Sequence, residues 1–182
     1  MGTPAGASAG TILGFAAADV HYPVAGGARA ALVLAGERTF AAIAGERTVL
    51  VADVAPYRPG RFYERELPPL LAVLAGVTGI ELLVVDGYVD LDPDGRPGLG
   101  AHVHAALGVP VVGVAKTRYA SATHAVPVIR GAATRPLFVT AAGLPLPAAA
   151  GLVRDMSGPF RLPEALRRVD ALARGAPLAR AR

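Results

Sequence analysis

Apolar residues recur along the chain in two rhythms, continuous or alternating runs and three-to-four spacing, and these rhythms divide it into elements. Residues 11–20 are apolar up to Asp19, residues 30–34 follow a Gly26-Gly27 turn, and runs 40–44 and 48–52 flank Gly45-Glu46-Arg47, which reads as a tight connection. Runs this close together leave no room for crossover helices, so they predict an antiparallel meander. Pro56-Tyr57-Arg58-Pro59-Gly60 reads as a rigid loop, because each proline fixes φ and restricts the residue before it. Leucines at 67, 70, 71 and 74 then share one face of a helix expected over residues 63–75. Residues 80–85 form an apolar strand ending at Asp86, and residues 87–97 a loop rich in Asp, Gly and Pro. Further expectations are a helix over 99–107, a strand over 111–114 leading to Lys116, extended chain over 125–129, a strand over 137–140, and helices over 147–156 and 164–173. The order predicts an α/β fold: a mixed sheet, meander first and parallel strand–helix units after it, with helices on both faces.

Composition narrows the possibilities. At 182 residues the chain is long enough for one sizeable core, and 53% hydrophobic content with 18% charged residues excludes a disordered body. The mean hydropathy of +0.44 comes largely from Ala and Val, and no apolar stretch approaches the ~20 residues that cross a bilayer. A cytoplasmic protein without membrane contact is expected. The expected organisation is a flexible leader over 1–10, a single domain over 11–174 and a frayed tail over 175–182. Cysteine is absent, which removes disulfides, thiolate metal sites and a cysteine nucleophile. The net charge is +4, and Lys116 is the only lysine beside many arginines. Substitution of Arg for Lys wherever either serves would leave a lysine where Arg does not serve.

Three carboxylates stand where an element hands over to a loop: Asp19, Asp86 and, on the first turns of the 63–75 helix, Glu66. An Asp closing an apolar strand faces desolvation unless a cation or donor meets it. Each could equally be a turn-former or a cap. If their oxygens converge, with no thiolate near, a hard divalent cation such as Mg²⁺ or Mn²⁺ suits them. Arg47, Arg58, Arg61, Arg65 and Arg118 fall in the same loops, as residues in contact with phosphate do.

Several strings read together carry a resemblance. Residues 56–66, from Pro56-Tyr57-Arg58-Pro59-Gly60 to Arg65-Glu66, resemble the PYxPG…RE segment of the endonuclease V (deoxyinosine 3′-endonuclease) family. Val85-Asp86-Gly87 leading to Gly98-Leu99-Gly100-Ala101-His102 is similar to its VDG…GLASH, and residues 108–116 to its GVAK strand. Arg135-Pro136-Leu137 and Arg161-Leu162-Pro163-Glu164 follow in the family's order, so the resemblance runs from about residue 12 to 174. It implies an RNase H-like fold and Mg²⁺- or Mn²⁺-dependent hydrolysis of a phosphodiester near inosine, in DNA or RNA. It implies Asp19, Glu66 and Asp86 as metal ligands, with Lys116 as an active-site cation. It implies Tyr57 as a wedge beside the altered base; Arg58, Arg61, Arg65, Gly87 and Arg118 are the further candidate nucleic-acid contacts in the neighbouring loops. A monomer is expected.

Two positions depart from the family pattern. A Gly-His-Arg string after the late strand is replaced here by Gly143-Leu144-Pro145, and leucine neither ligates nor transfers protons. Where the family has His-Pro after its VDG, this chain has Asp92-Pro93. Asp92 and His21 are the candidate additional ligands. Leu144 supports an alternative reading, a family-like protein that binds nucleic acid and cleaves it weakly or not at all.

Overall fold

The computed structural model describes residues 14–175. The expected leader over 1–10 lies outside them, as does the expected tail beyond Gly175. Seven strands form one mixed sheet in the order β3-β2-β1-β4-β5-β7-β6. Strands β1 (Phe15–His21), β2 (Ala28–Ala35) and β3 (Gly45–Val51) make the antiparallel meander, while β4 (Leu82–Asp86) and β5 (Val111–Ala115) run parallel to β1. Helices α1 (Tyr63–Leu74) and α2 (Leu99–Leu107) make these parallel crossovers possible. No helix joins β6 (Val126–Val128) to β7 (Leu137–Ala142), so those two pair antiparallel, and β7 is also antiparallel to β5. Helices α3 (Leu146–Asp155) and α4 (Glu164–Arg174) close the chain. No helix among the described residues is long and apolar enough to cross a membrane.

Strand alternation sorts the core into two layers. Ala16, Ala18, Leu83 and Val85 pack toward α1 and α2, with Leu70, Val73 and Val103. Ala17, Val84, Val112 and Val114 pack toward α3 and α4, with Val153, Leu166 and Val169. Asp19 and Asp86 share the parity of Ala17 and Val84, which turns both toward the α4 layer. Since Ala18 pairs with Val85, the two aspartates are neighbours across the parallel pair.

One expected strand is absent. Residues 40–44 are not a strand, and Gly45-Glu46-Arg47 opens β3 instead of turning the chain. Phe40 is 2% exposed with φ 55°, and its ring meets Phe15 edge-on at 6.5 Å. Phe40, with half-buried Ile43, plugs the core rather than extending the sheet, while Ala41, Ala42 and Ala44 are exposed, which a short apolar run alone does not reveal.

Leu144 is also relocated by topology. Val111 pairs with Ala142, so the loop after β7 emerges at the sheet end where β5 begins. Asp86 and Lys116 stand at the opposite end. Leu144 is half-buried against the α3–α4 core, and neighbouring Gly143 lies beside His104 and Pro110. Leucine at 144 therefore removes no group from the carboxylate end of the sheet.

Candidate active site

Four carboxylates and two cations line one cavity of about 300 Å³: Asp19, Glu66, Asp86, Asp170, Lys116 and Arg174, with His21, Phe62 and Gly87 at its walls. Strand ends deliver Asp19, Asp86 and Lys116; α1 delivers Glu66 from the other layer, and α4 delivers Asp170 and Arg174. Glu66 reaches its place through an irregular helix. Pro68 and Pro69 lie inside α1, and Pro69 lacks the N–H that would bond the Arg65 carbonyl. The Tyr22 hydroxyl donates to that carbonyl instead, at 3.0 Å, and the Arg65 guanidinium lies over the Tyr22 ring at 3.9 Å. Burial pushes the Tyr22 hydroxyl well above the usual tyrosine range, and Glu66 adds to this.

The electrostatics are those of crowded acids. Burial raises Asp19 from 3.8 to about 7, with Asp86 adding repulsion, against the Val20 N–H donated to its Oδ1 at 2.8 Å. Burial likewise raises Glu66, 8% exposed, from 4.5 to about 8, with Asp19 and Asp86 adding to the shift. Burial works to raise Asp170 too, but the hydrogen bond and charge of Arg174, with Lys116 and a bond from Asp19, hold it below the usual range. Lys116 donates to Asp86 Oδ2 at 2.6 Å. Burial would lower the amine, and the bond and charge of Asp86 outweigh it and raise Lys116. Behind Lys116, Arg161 donates to its carbonyl oxygen and, at 2.8 Å, to that of Pro136. Arg130, 5% exposed, in turn binds the 156–161 loop through carbonyls, including that of Phe160 at 2.8 Å.

Could this cavity hold a divalent cation? Among the described residues, no three acidic or histidine side chains are already closed around a common point. Asp19 bonds Asp170, and Lys116 takes an oxygen of Asp86. The donor set is nevertheless all hard oxygen, and burial with neighbouring carboxylates raises two of its members, Asp19 and Glu66, to about 7 and about 8. Those are the features that a hard divalent ion relieves. The residues fit it.

A second cavity, of about 360 Å³, adjoins the first and shares Phe62, Asp86 and Gly87 with it. Tyr57, Tyr63, Tyr88, Leu91, Leu99 and Tyr119 supply a largely apolar lining. Gly87, at φ 125°, turns the chain away from Asp86 between the two. Tyr57 is 61% exposed and meets Phe62 edge-on at 6.4 Å. The far wall is latched: the Tyr88 hydroxyl donates to Thr117 O at 2.8 Å and accepts from Tyr119 N–H at 2.9 Å. Such a wall, with an exposed aromatic at its mouth, suits a planar heterocycle.

The structure brings together only part of what the sequence suggested. Asp19, Glu66, Asp86 and Lys116 share one cavity, His21 is on its rim, and Tyr57 and Gly87 line the aromatic one. Asp92 is elsewhere engaged, accepting from the Arg96 backbone at 3.0 Å and pairing with its side chain at 3.2 Å. Arg58 and Arg118 are exposed, Arg61 is paired with Glu64, and Arg65 is spent on Tyr22. His102 stacks on Tyr63 at 3.6 Å. Sequence reading missed Asp170, Arg174, Phe62, Tyr88 and Tyr119. Asp170 had a signal, since it lies four residues after buried Leu166 and beside Val169, at the margin of the inward stripe of α4.

Comparison with known proteins identifies the family. The family model for endonuclease V matches residues 7–171. Endonuclease V of Azotobacter vinelandii is 34% identical over 181 residues, covering 87% of this chain and 80% of that protein. The chain belongs to the endonuclease V family. Endonuclease V of Ignicoccus hospitalis is 46% identical over 63 residues, and that of Streptomyces avermitilis 32% over 142. The matches span 29% and 62% of those two proteins, less than two thirds of their length. The crystal structure of the Streptomyces avermitilis endonuclease V superposes with a TM-score of 0.74 at 28% identity, covering 88% of this chain and 79% of that one. A Ciona intestinalis endonuclease V, solved with a 23mer DNA containing an inosine followed by a ribo-adenosine, has a TM-score of 0.76 at 19% identity, covering 88% and 83%. The latter likeness is one of fold, the RNase H-like α/β sheet that the endonuclease V motifs imply.

Proposed function

We propose that the protein is a Mg²⁺- or Mn²⁺-dependent endonuclease that hydrolyses a phosphodiester bond near inosine in DNA or RNA. One observation carries this reading: an acidic cavity with Lys116 opens directly onto an aromatic cavity, the two sharing Phe62, Asp86 and Gly87. A nucleotide spanning both sets its base among aromatic walls and its phosphate among charged groups. Family membership supports the reaction class, and the inosine-containing DNA bound by the Ciona relative supports the substrate.

Asp19, Glu66, Asp86 and Asp170 would hold the metal. A bound divalent ion supplies neutralisation of phosphate charge and a more acidic water. The chain's own residues do the rest. Lys116 presents a compact charge to a phosphate oxygen once Asp86 is otherwise engaged, a role that the planar guanidinium of Arg fits poorly. Arg161 holds the Lys116 main chain in place. Tyr57, exposed at the mouth, stacks where the altered base leaves its neighbours. Incubation of wild type and Asp86→Ala with inosine-containing and inosine-free DNA and RNA, with either metal, tests the reading. Cleavage confined to inosine-containing strands and lost in the variant is expected; binding without cleavage, equal in both proteins, would overturn it.

A further inference from the structure

We propose that Arg174, backed by Arg29, forms a second phosphate-binding subsite on the α4 side of the acidic cavity. It would take a backbone phosphate flanking the one at Lys116, so it rests on the nucleic-acid reading above. Helix α4 ends at Arg174, followed by Gly175 in the left-handed conformation at φ 70°. Arg174 lines the cavity across from Lys116, and its Nε donates to Asp170 Oδ2 at 2.9 Å. That bond uses one of five guanidinium donors, and among the described residues the others have no hydrogen-bond acceptor. The side chain is 56% exposed, so its free edge is open to a ligand.

Arg29 comes from β2, opposite His21 at the end of β1. Its guanidinium lies over Gly175, where a Cβ would fall 1.8 Å from Nη1. A glycine at 175 is therefore needed twice, for its positive φ and for the space Arg29 occupies. Arg29 makes no ion pair among the described residues. Two guanidinium groups thus stand at the helix end, and Asp170 pairs with one of them, Arg174. The helix C-terminus offsets part of that charge, and a bidentate phosphate would offset the rest with fixed geometry. Lys116 differs, because its compact charge is directed at Asp86, whereas Arg174 keeps further donors besides the one on Asp170. Cations on two sides of the cavity would fix the course of the strand across the carboxylates.

The test is equilibrium binding of an inosine-containing oligonucleotide with uncleavable linkages, to wild type, Arg174→Gln and Arg29→Gln, over a range of salt. Loss of one phosphate contact should flatten the log–log salt dependence by about 0.7–0.9. Between 50 and 200 mM salt, wild type should then lose roughly three-fold more affinity than Arg174→Gln. A scan of single methylphosphonates along the oligonucleotide gives a measurement that needs no variant to fold. One neutralised position should weaken wild type and leave Arg174→Gln unaffected. Equal slopes, or no position with that behaviour, in a wild type that binds and cleaves would overturn the subsite alone. Wild type that neither binds nor cleaves would overturn the functional reading and the subsite together.

Discussion

Replacement of Glu66 by Gln should stabilise the metal-free protein by an amount that grows as pH rises from about 4.5 to about 8 and is absent below that interval. The Glu66 carboxyl is 8% exposed, and burial first, then Asp19 and Asp86, raise it from 4.5 to about 8. A folded pKa above the unfolded one gives stability that is fully present below about 4.5 and lost as pH rises through about 8. At about 1.4 kcal/mol per pH unit, the whole displacement is worth at most about 5 kcal/mol. Part of it is repulsion that proton uptake by Asp19 also relieves, and the amide brings its own desolvation cost, so about 2 kcal/mol is the expected gain at pH 8.5. For a chain of this size that raises Tm by roughly 4–8 °C. Thermal unfolding in a chelator at pH 4.5 and pH 8.5 measures it. The two proteins should unfold together at pH 4.5 and separate at pH 8.5, with the variant higher. A separation independent of pH, or a variant less stable at pH 8.5, would refute a carboxyl strained by burial and like charge.

Further outcomes follow from the same geometry. Lys116→Arg should keep the fold and most nucleic-acid affinity but slow cleavage roughly 100-fold or more, the scale of losing one aligned charge-stabilising donor; single-turnover rates measure this. Leu144→His should leave cleavage within about two-fold of wild type, because position 144 lies at the far end of the sheet; a large gain would contradict the β7 register. Tyr22→Phe should cost about 1 kcal/mol through loss of the bond to the carbonyl that Pro69 leaves free, read by chemical denaturation.

Much of this was legible in the sequence, and the gaps have physical causes. The meander could be read because its connections are too short for crossovers, and Asp19 and Asp86 stood out because an acid closing an apolar strand is conspicuous. Phe40 misled because a plug and a strand have the same short apolar pattern. Asp170 was hidden in Arg167-Arg168-Val169-Asp170, where charges look like a solvated helix face; only the angular position beside Leu166 and Val169 marks it as inward. The place of Leu144 was hidden for want of direction along the sheet. Late strands assumed parallel carry their following loop to the wrong end, and the antiparallel pairing of β7 with β5 reverses that. Asp92 looked like a spare ligand, yet its own loop supplies Arg96 as a partner.

The central claim is that Lys116 and the carboxylates share one cation-binding cavity, and the single lysine makes this directly observable. Reductive methylation with a ¹³C label keeps the charge and gives one lysine signal by NMR. Titration with Mg²⁺ should shift that signal saturably as Asp86 exchanges its ion pair for the metal, and traces of Mn²⁺ should broaden it away. Neither effect should survive in Asp86→Ala. A Lys116 signal that Mg²⁺ leaves unmoved and Mn²⁺ leaves sharp would contradict the account.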